Sequence, residues 1–160
     1  MTQIKVTRKG VSIDDMAKQF GIDAKELARE TMYGIANQIA VNSPVDSGTY
    51  AVNHEVALRS GSFQANKVRP EDRSRQSRDG APHITNARQK GLQNMVDDIN
   101  RIVEGKSQNY VFRNPMAYAA MIEAGETGDK TGSPPVYASA AREAPRIIQE
   151  VAQRIASRNR

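Results

Sequence analysis

The stretch Ser43–Tyr50 most constrains the fold of this chain, because it ends one element and begins the next within eight residues. Apolar residues recur at four-residue spacing up to Val41, which predicts a long helix before it. Pro44 ends that helix, since it lacks an N–H group and restricts the residue before it. Gly48 can adopt the positive φ that closes a tight turn. The alternation of residues 49–59 then predicts a half-buried strand, so the sequence indicates a structural corner here.

The N-terminal part of the chain carries two helix-start signals. Ser12 with Asp15 predicts the cap of a short helix, and Asp23 with Glu26 predicts the cap of the long helix. Gly34 lies within the long helix, where glycine costs about 1 kcal/mol relative to alanine. We therefore expect Gly34 to mark a close contact with another backbone.

The central part of the chain predicts one more long helix and one strand. Helical spacing of apolar residues returns at Thr85 and ends at Gly105, with Asp98 among the residues expected on the solvated side. Residues 109–114 are rich in aromatic and β-branched side chains, which predicts a short strand. The apolar run 116–124 fits both a strand and two helical turns, and we favour a short helix.

The C-terminal part of the chain predicts a third long amphipathic helix. Pro145 is best tolerated in the first turn of a helix. Residues 136–138 are therefore expected to be extended and to lead into the helix. Residues 157–160 are expected to form a flexible tail.

These elements predict a single α+β domain spanning residues 1–160. We expect a small antiparallel sheet packed against a long N-terminal helix, a central helix and a C-terminal helix. Residues 1–12 are predicted to form an N-terminal arm. Residues 61–83 are predicted to form a polar, arginine-rich loop, because they are too poor in apolar residues to order themselves.

The polar loop is the best candidate for an arm that orders only against a partner. A surface loop without a role is the alternative. The arginines that we single out as candidate partner contacts are Arg69, Arg73, Arg75 and Arg78.

Composition excludes several classes of protein. The chain has no cysteine, so disulfides and thiolate metal sites are excluded, and no apolar run approaches the roughly 20 residues that span a membrane. With 38% hydrophobic residues and no tryptophan, the core is modest, and neighbouring subunits could supply further apolar contact. The net charge of +5 is spread along the chain, unlike the concentrated basic stripe of a dedicated nucleic-acid-binding protein.

Candidate catalytic residues are few. His54 and His83 have no second ligand at metal spacing, and we interpret them as a core histidine and a loop histidine. Glu123 lies in an apolar segment, where it could be a tuned acid, an anchor for the Gly125 turn or the partner of a neighbour's arginine. Asp46 belongs to the corner. We therefore expect no enzyme activity, metal or cofactor.

Two motifs resemble a known family. The first comprises Pro44, Val45, Asp46 and Gly48, with Ser47 where threonine is usual. The second comprises Tyr118, Ala119, Glu123 and Gly125. Their order around a helix, a strand and a C-terminal helix is similar to that of the neck and tail-completion proteins of tailed bacteriophages.

That resemblance implies a structural virion subunit without cofactor or turnover. It would be assembled in the bacterial cytoplasm and form a ring, hexameric or dodecameric, that joins the portal or adaptor to the tail or terminates the tail tube. DNA would pass through the lumen with weak contacts only, and no membrane would be involved. A basic nucleic-acid-binding module and a small hydrolase using Glu123 are the alternative functions.

Overall fold

The computed structural model describes residues 3–4, 12–45, 48–58, 84–102, 110–116, 119–124 and 135–160. Within them the predicted α+β class is confirmed: the chain is mostly helical with a small antiparallel sheet. The helices are α1 (Ile13–Phe20), α2 (Ala24–Asn42), α3 (Thr49–Val52), α4 (Ala87–Ile102), α5 (Ala119–Glu123) and α6 (Val136–Arg158). The strands are β1 (Gln3–Ile4), β2 (Glu55–Leu58) and β3 (Tyr110–Arg113).

Both predicted helix starts in the N-terminal part are confirmed. The Ser12 hydroxyl accepts the N–H of Asp15 at 3.1 Å and donates to the Asp15 carboxylate at 2.8 Å. Asp23 accepts the N–H of Lys25 at 2.8 Å, so it begins α2. Each cap satisfies an amide that has no partner inside its helix.

The sheet has β3 in the middle, with β1 and β2 antiparallel on either side. Val56 lies opposite Phe112, and both side chains are buried in the main hydrophobic core. Glu55 lies opposite Arg113, whose Nε is 2.8 Å from the Glu55 carboxylate. Cross-strand pairs of both kinds fix the register of the sheet.

The predicted strand 49–59 is wrong in its first half. Residues Thr49–Val52 form the short helix α3, and the strand is confined to Glu55–Leu58. Gly91 of α4 packs directly on α3, because a Cβ at Gly91 would lie 1.8 Å from the Ala51 carbonyl oxygen. Tyr50, Ala51 and Val52 are all buried. Packing against α4 therefore overrides the alternating pattern.

The core is built around α2, which packs against α6 on one side and α4 on another. At Gly34 an added Cβ would lie 2.5 Å from Cγ2 of Ile147 in α6. The predicted close contact is thus with a side chain rather than with a backbone. The largest fully buried apolar side chains come from these three helices: Leu27, Ile39, Met95, Ile99, Ile155 and Val136.

A second prediction, the exposed position of Asp98, is wrong. Asp98 was expected on the solvated side of α4 but is 8% exposed. Its carboxylate accepts the N–H of Val56 at 3.1 Å and pairs with Arg101. Asp98 therefore satisfies a backbone donor of strand β2, which lies at the edge of the sheet.

A third prediction, the extended lead-in to the C-terminal helix, is wrong. Residues 136–138 are helical rather than extended, and Pro145 lies inside the helix at an exposed position. Val136 and Tyr137 are buried, which favours a helix that starts early. The helix also continues through Ser157 and Arg158, two residues of the predicted tail.

Candidate functional site

Three elements meet at His54. The end of α2, the turn before β2 and the beginning of α6 each contribute one side chain to a buried hydrogen-bonded chain. His54 Nε2 lies 2.7 Å from the Ser43 hydroxyl, and His54 Nδ1 lies 2.7 Å from the Tyr137 hydroxyl. Tyr50 and Tyr137 pack edge-on against the imidazole, with ring centroids 5.0 and 5.5 Å away. His54 is thus the core histidine that the sequence predicts.

The direction of these hydrogen bonds follows from Ser43. Its hydroxyl donates to the Ile39 carbonyl at 2.7 Å and has one proton, so it accepts from His54 Nε2. Nδ1 is then the acceptor, and Tyr137 donates to it. The chain runs in one direction from Tyr137 to Ile39 and requires a neutral imidazole protonated on Nε2.

Burial sets the protonation states of this chain. It lowers the pKa of His54 to about 3 because a charged imidazolium would lose its hydration. Burial also raises the pKa of Tyr137, and repulsion from Tyr50, Glu123 and Glu55 raises it further. Both side chains are therefore neutral near pH 7.

A serine beside a histidine also has the distance of a nucleophile and its base. Here, however, Ser43 is 0% exposed and His54 2% exposed. The proton of Ser43 is donated to the carbonyl of its own helix. The arrangement therefore suits a structural connection between α2 and α6 better than attack on a substrate.

Glu123 joins the same region from α5. Its two carboxylate oxygens accept the N–H groups of Tyr137, at 3.1 Å, and Ala138, at 2.8 Å. These are amides of the first turn of α6, which have no partner inside the helix. A negative charge there also interacts favourably with the helix dipole. Glu123 thus caps α6.

The two sequence motifs converge through these contacts. Ser43 precedes the first motif and Glu123 ends the helical part of the second, and both are bound to Tyr137, directly or through His54. Tyr137 belongs to neither motif, and nothing in its local sequence identifies it. The connection is visible only in three dimensions.

The remaining motif residues that the structure describes have structural positions. Gly48 has the predicted positive φ, +85°, and lies between Ile84 and Ala87. Ala119 is buried, whereas Val45 is exposed beyond Pro44. Several predicted residues lie outside the described part of the chain: Asp46, Ser47, Arg69, Arg73, Arg75, Arg78, His83, Tyr118 and Gly125.

Two further side chains, which the sequence did not single out, hold the corner in place. Asn114 donates to the Tyr50 carbonyl at 2.8 Å and accepts the N–H of Met116 at 3.1 Å. Arg88 of α4 donates to the Ser43 carbonyl at 2.9 Å. Tyr50 lies 64 residues from Asn114 and Ser43 lies 45 residues from Arg88, so the local sequence does not reveal these two bonds.

The charges of the described residues nearly cancel. They include twelve lysines and arginines and eleven aspartates and glutamates, so most of the net charge of +5 belongs to the other residues. On α6, Arg154 pairs with Glu30 and Arg158 with Glu26. Arg146 pairs with Glu143 and Glu150. The arginines of α6 thus serve largely to neutralise nearby acids.

The described residues contain no group of three or more histidines and carboxylates that could hold a metal ion. In that same part of the chain, every helix is too short or too polar to cross a membrane.

Comparison with known proteins gave no match to a protein-family model, to a curated protein or to a solved structure. Proposals about function therefore depend on the residues and contacts of this chain.

Proposed function

We propose that this chain is a structural subunit of the neck of a tailed bacteriophage, which forms a ring that joins head and tail or terminates the tail tube. The observation that carries the proposal is the use of the motif residues. Gly48 closes the corner, and Glu123 caps α6. Ser43, His54 and Tyr137 connect the corner to that helix. Groups that could perform chemistry are thus engaged in holding the shape of the subunit.

A structural role is consistent with the charges of the described residues. DNA that moves through a lumen requires weak, salt-screened contacts, and a nearly neutral body provides few phosphate contacts. Nucleic-acid binding is the alternative, favoured by the excess of eleven basic over seven acidic residues in the rest of the chain. Binding by the isolated monomer that weakens steeply as salt rises would favour that alternative.

Self-association and binding to phage particles test the proposal. The purified chain would be studied by mass photometry and negative-stain microscopy over a concentration series, alone and mixed with tails or heads. We expect discrete rings or capped particles. A chain that remains monomeric at every concentration and binds neither tails nor heads would contradict the proposal.

A further inference from the structure

Pro145 divides helix α6 into two parts that are held in different ways. Proline supplies no amide hydrogen, so inside a helix it removes one backbone hydrogen bond and favours bending at that point. Residues 136–144 precede it and residues 146–158 follow it, and both parts contribute buried side chains. A helix with such an interruption can open on one side of the proline while the other side stays in place.

The second part of α6 is fastened firmly to α2. Three of its branched side chains lie in the main hydrophobic core: Ile147, Val151 and Ile155. Both ion pairs that the described residues form between α2 and α6 also belong to this part. They join Arg154 to Glu30 at 3.0 Å and Arg158 to Glu26 at 3.1 Å.

The first part of α6 packs with smaller side chains. Apart from Val136 and Tyr137, its buried residues are Ala140 and Ala144. A shallow cleft of about 10 Å³ remains between this part and α2. Because an alanine buries less apolar surface than a branched side chain, packing contributes less to the attachment of residues 136–144. Their hydrogen bonds to other elements therefore matter more.

Two titratable side chains supply those hydrogen bonds. The Tyr137 hydroxyl donates to His54 Nδ1 at 2.7 Å, and the Glu123 carboxylate accepts the N–H groups of Tyr137 and Ala138. A proton on Nδ1 would occupy the position that accepts from Tyr137. It would also create a charge without hydration, since His54 is 2% exposed. Release of Tyr137 would let water reach the charged ring.

The groups around the imidazole offer little compensation for such a charge. The titratable and charged side chains come from the elements packed around it: Tyr50 of α3, Tyr137 of α6, Glu55 of β2, Arg113 of β3, Glu123 of α5 and Arg88 of α4. Both acids in this set are already engaged, because Glu55 pairs with Arg113 at 2.8 Å and Glu123 binds two amides. Arg88 adds a further positive charge beside Ser43.

We propose that residues 136–144 form a strap, which opens about Pro145 while residues 146–158 stay on α2, and that a proton on His54 favours the open form. Opening would uncover Ile35, Ile39 and Phe112, which line the cleft beneath the strap. Acid would thereby make a covered apolar surface accessible before the whole domain unfolds. The inference goes beyond the proposed function and does not depend on it.

Amide hydrogen exchange of the full chain measures the opening of the two parts separately. The closed form has the pKa of His54 at about 3, whereas the solvated ring of the open form has its ordinary pKa of about 6.5. Protection factors of residues 140–144, corrected for intrinsic exchange, should therefore fall about fiftyfold between pH 6.5 and 4.5. At each pH they should be at least about tenfold below those of residues 151–155 and respond less to low urea.

Three variants separate the proton from the hinge. His54→Gln does not titrate, so it should lose most of the fiftyfold change. Pro145→Ala restores a backbone donor at an exposed position and should raise the protection of residues 140–144, relative to residues 151–155, at least about tenfold. Gln149→Ala, a matched substitution at an exposed position of the second part, should leave that ratio unchanged. Circular dichroism at each pH verifies that the helices persist.

Three results would overturn the inference. Equal protection and equal urea dependence of residues 140–144 and 151–155 at every pH would exclude the strap, because the helix would then open only as a whole. A strap that opens to the same extent at pH 6.5 and 4.5 would exclude the role of His54. A change in Gln149→Ala as large as that in Pro145→Ala would exclude the hinge at Pro145.

Discussion

At the residue scale, His54 connects three elements as a neutral imidazole. Its Nε2–H is donated to Ser43 and its Nδ1 accepts from Tyr137, so a second proton would end this acceptance and require the Tyr137 hydroxyl to reorient. The ring is 2% exposed, which leaves an imidazolium without water. Folding therefore selects the neutral, Nε2-protonated form.

This selection predicts a loss of stability in acid. The unfolded chain binds a proton at His54 below pH 6.5, whereas the folded chain, with the pKa of His54 lowered to about 3, does not. The contribution of His54 to the free energy of unfolding is therefore complete above pH 6.5. It decreases as the pH falls towards 3, by up to about 5 kcal/mol in total. Urea unfolding of wild type across this range measures the effect.

His54→Gln provides the control for this prediction. Glutamine does not titrate, so the variant should have a flatter pH dependence between 6.5 and 3. At pH 7 it should be less stable by about 1–3 kcal/mol, because buried partners lose their hydrogen bonds. Parallel pH profiles for variant and wild type would show that His54 does not control the acid sensitivity.

Glu123 gives a second prediction at this scale. Glu123→Ala removes both acceptors from the first turn of α6 and should cost about 1–2 kcal/mol of stability, as for the loss of a cap. Glu123→Gln keeps one acceptor but turns an NH2 donor towards the second amide N–H, so it should cost about 0.5–2 kcal/mol through the lost hydrogen bond and the lost charge. Chemical denaturation measures both. An unfolding midpoint that does not move in Glu123→Ala would contradict the capping role.

At the element scale, two glycines allow helices to approach closely but tolerate a methyl group differently. At Gly91 the added Cβ would meet the Ala51 carbonyl oxygen at 1.8 Å, and a backbone cannot turn aside. At Gly34 the added Cβ would meet the Cγ2 methyl of Ile147 at 2.5 Å, so a β-branched side chain rather than a backbone would have to shift. The packing of α3 on α4 is therefore less adaptable than that of α2 on α6.

The corresponding alanine substitutions should differ in effect. Gly91→Ala is expected to cost about 3 kcal/mol or more, despite the roughly 1 kcal/mol that alanine contributes to a helix. Gly34→Ala should lower the stability by less than Gly91→Ala does. In a protein that already carries Ile147→Ala, Gly34→Ala should lower the stability by still less, because the clashing methyl group is absent. Thermal unfolding compares the four variants. Equal losses for Gly91→Ala and Gly34→Ala would contradict the distinction.

The sequence correctly predicted the features that are determined by residues close to one another in the chain. The caps at Ser12 and Asp23 bind amides two or three residues away, and the turn at Gly48 depends on the positive φ that glycine itself allows. Helix α3 was missed because Gly91, forty residues away from Ala51, determines it. The start of α6 was missed because its cap, Glu123, lies before the intervening residues 125–134. The buried chain through His54 likewise joins residues that are distant in sequence.

At the scale of the whole molecule, charge separates a nearly neutral body from more basic segments. The described residues carry twelve basic and eleven acidic groups, and the other residues carry eleven and seven. Under the proposed function, copies of the body would contact one another, whereas the arginine-rich residues 61–82 would face other protein neighbours. The two tasks would then be assigned to different parts of the chain.

Deletion of residues 64–79 tests this division. We expect the variant to retain the helical circular dichroism and unfolding free energy of the body but to lose head–tail joining. A matched variant of full length, with Arg69, Arg73, Arg75 and Arg78 replaced by glutamine, separates the effect of charge from that of length. Head–tail joining that proceeds normally after the deletion would show that residues 64–79 have no role in assembly.

Pro145 has one more consequence for the molecule. Proline has no N–H group, so the main-chain oxygen of Ala141, one turn earlier in α6, does not receive the bond that a regular helix would supply. Ala141 and Pro145 are both exposed, so water can reach this oxygen, and the helix continues through a proline that would be more costly at a buried position.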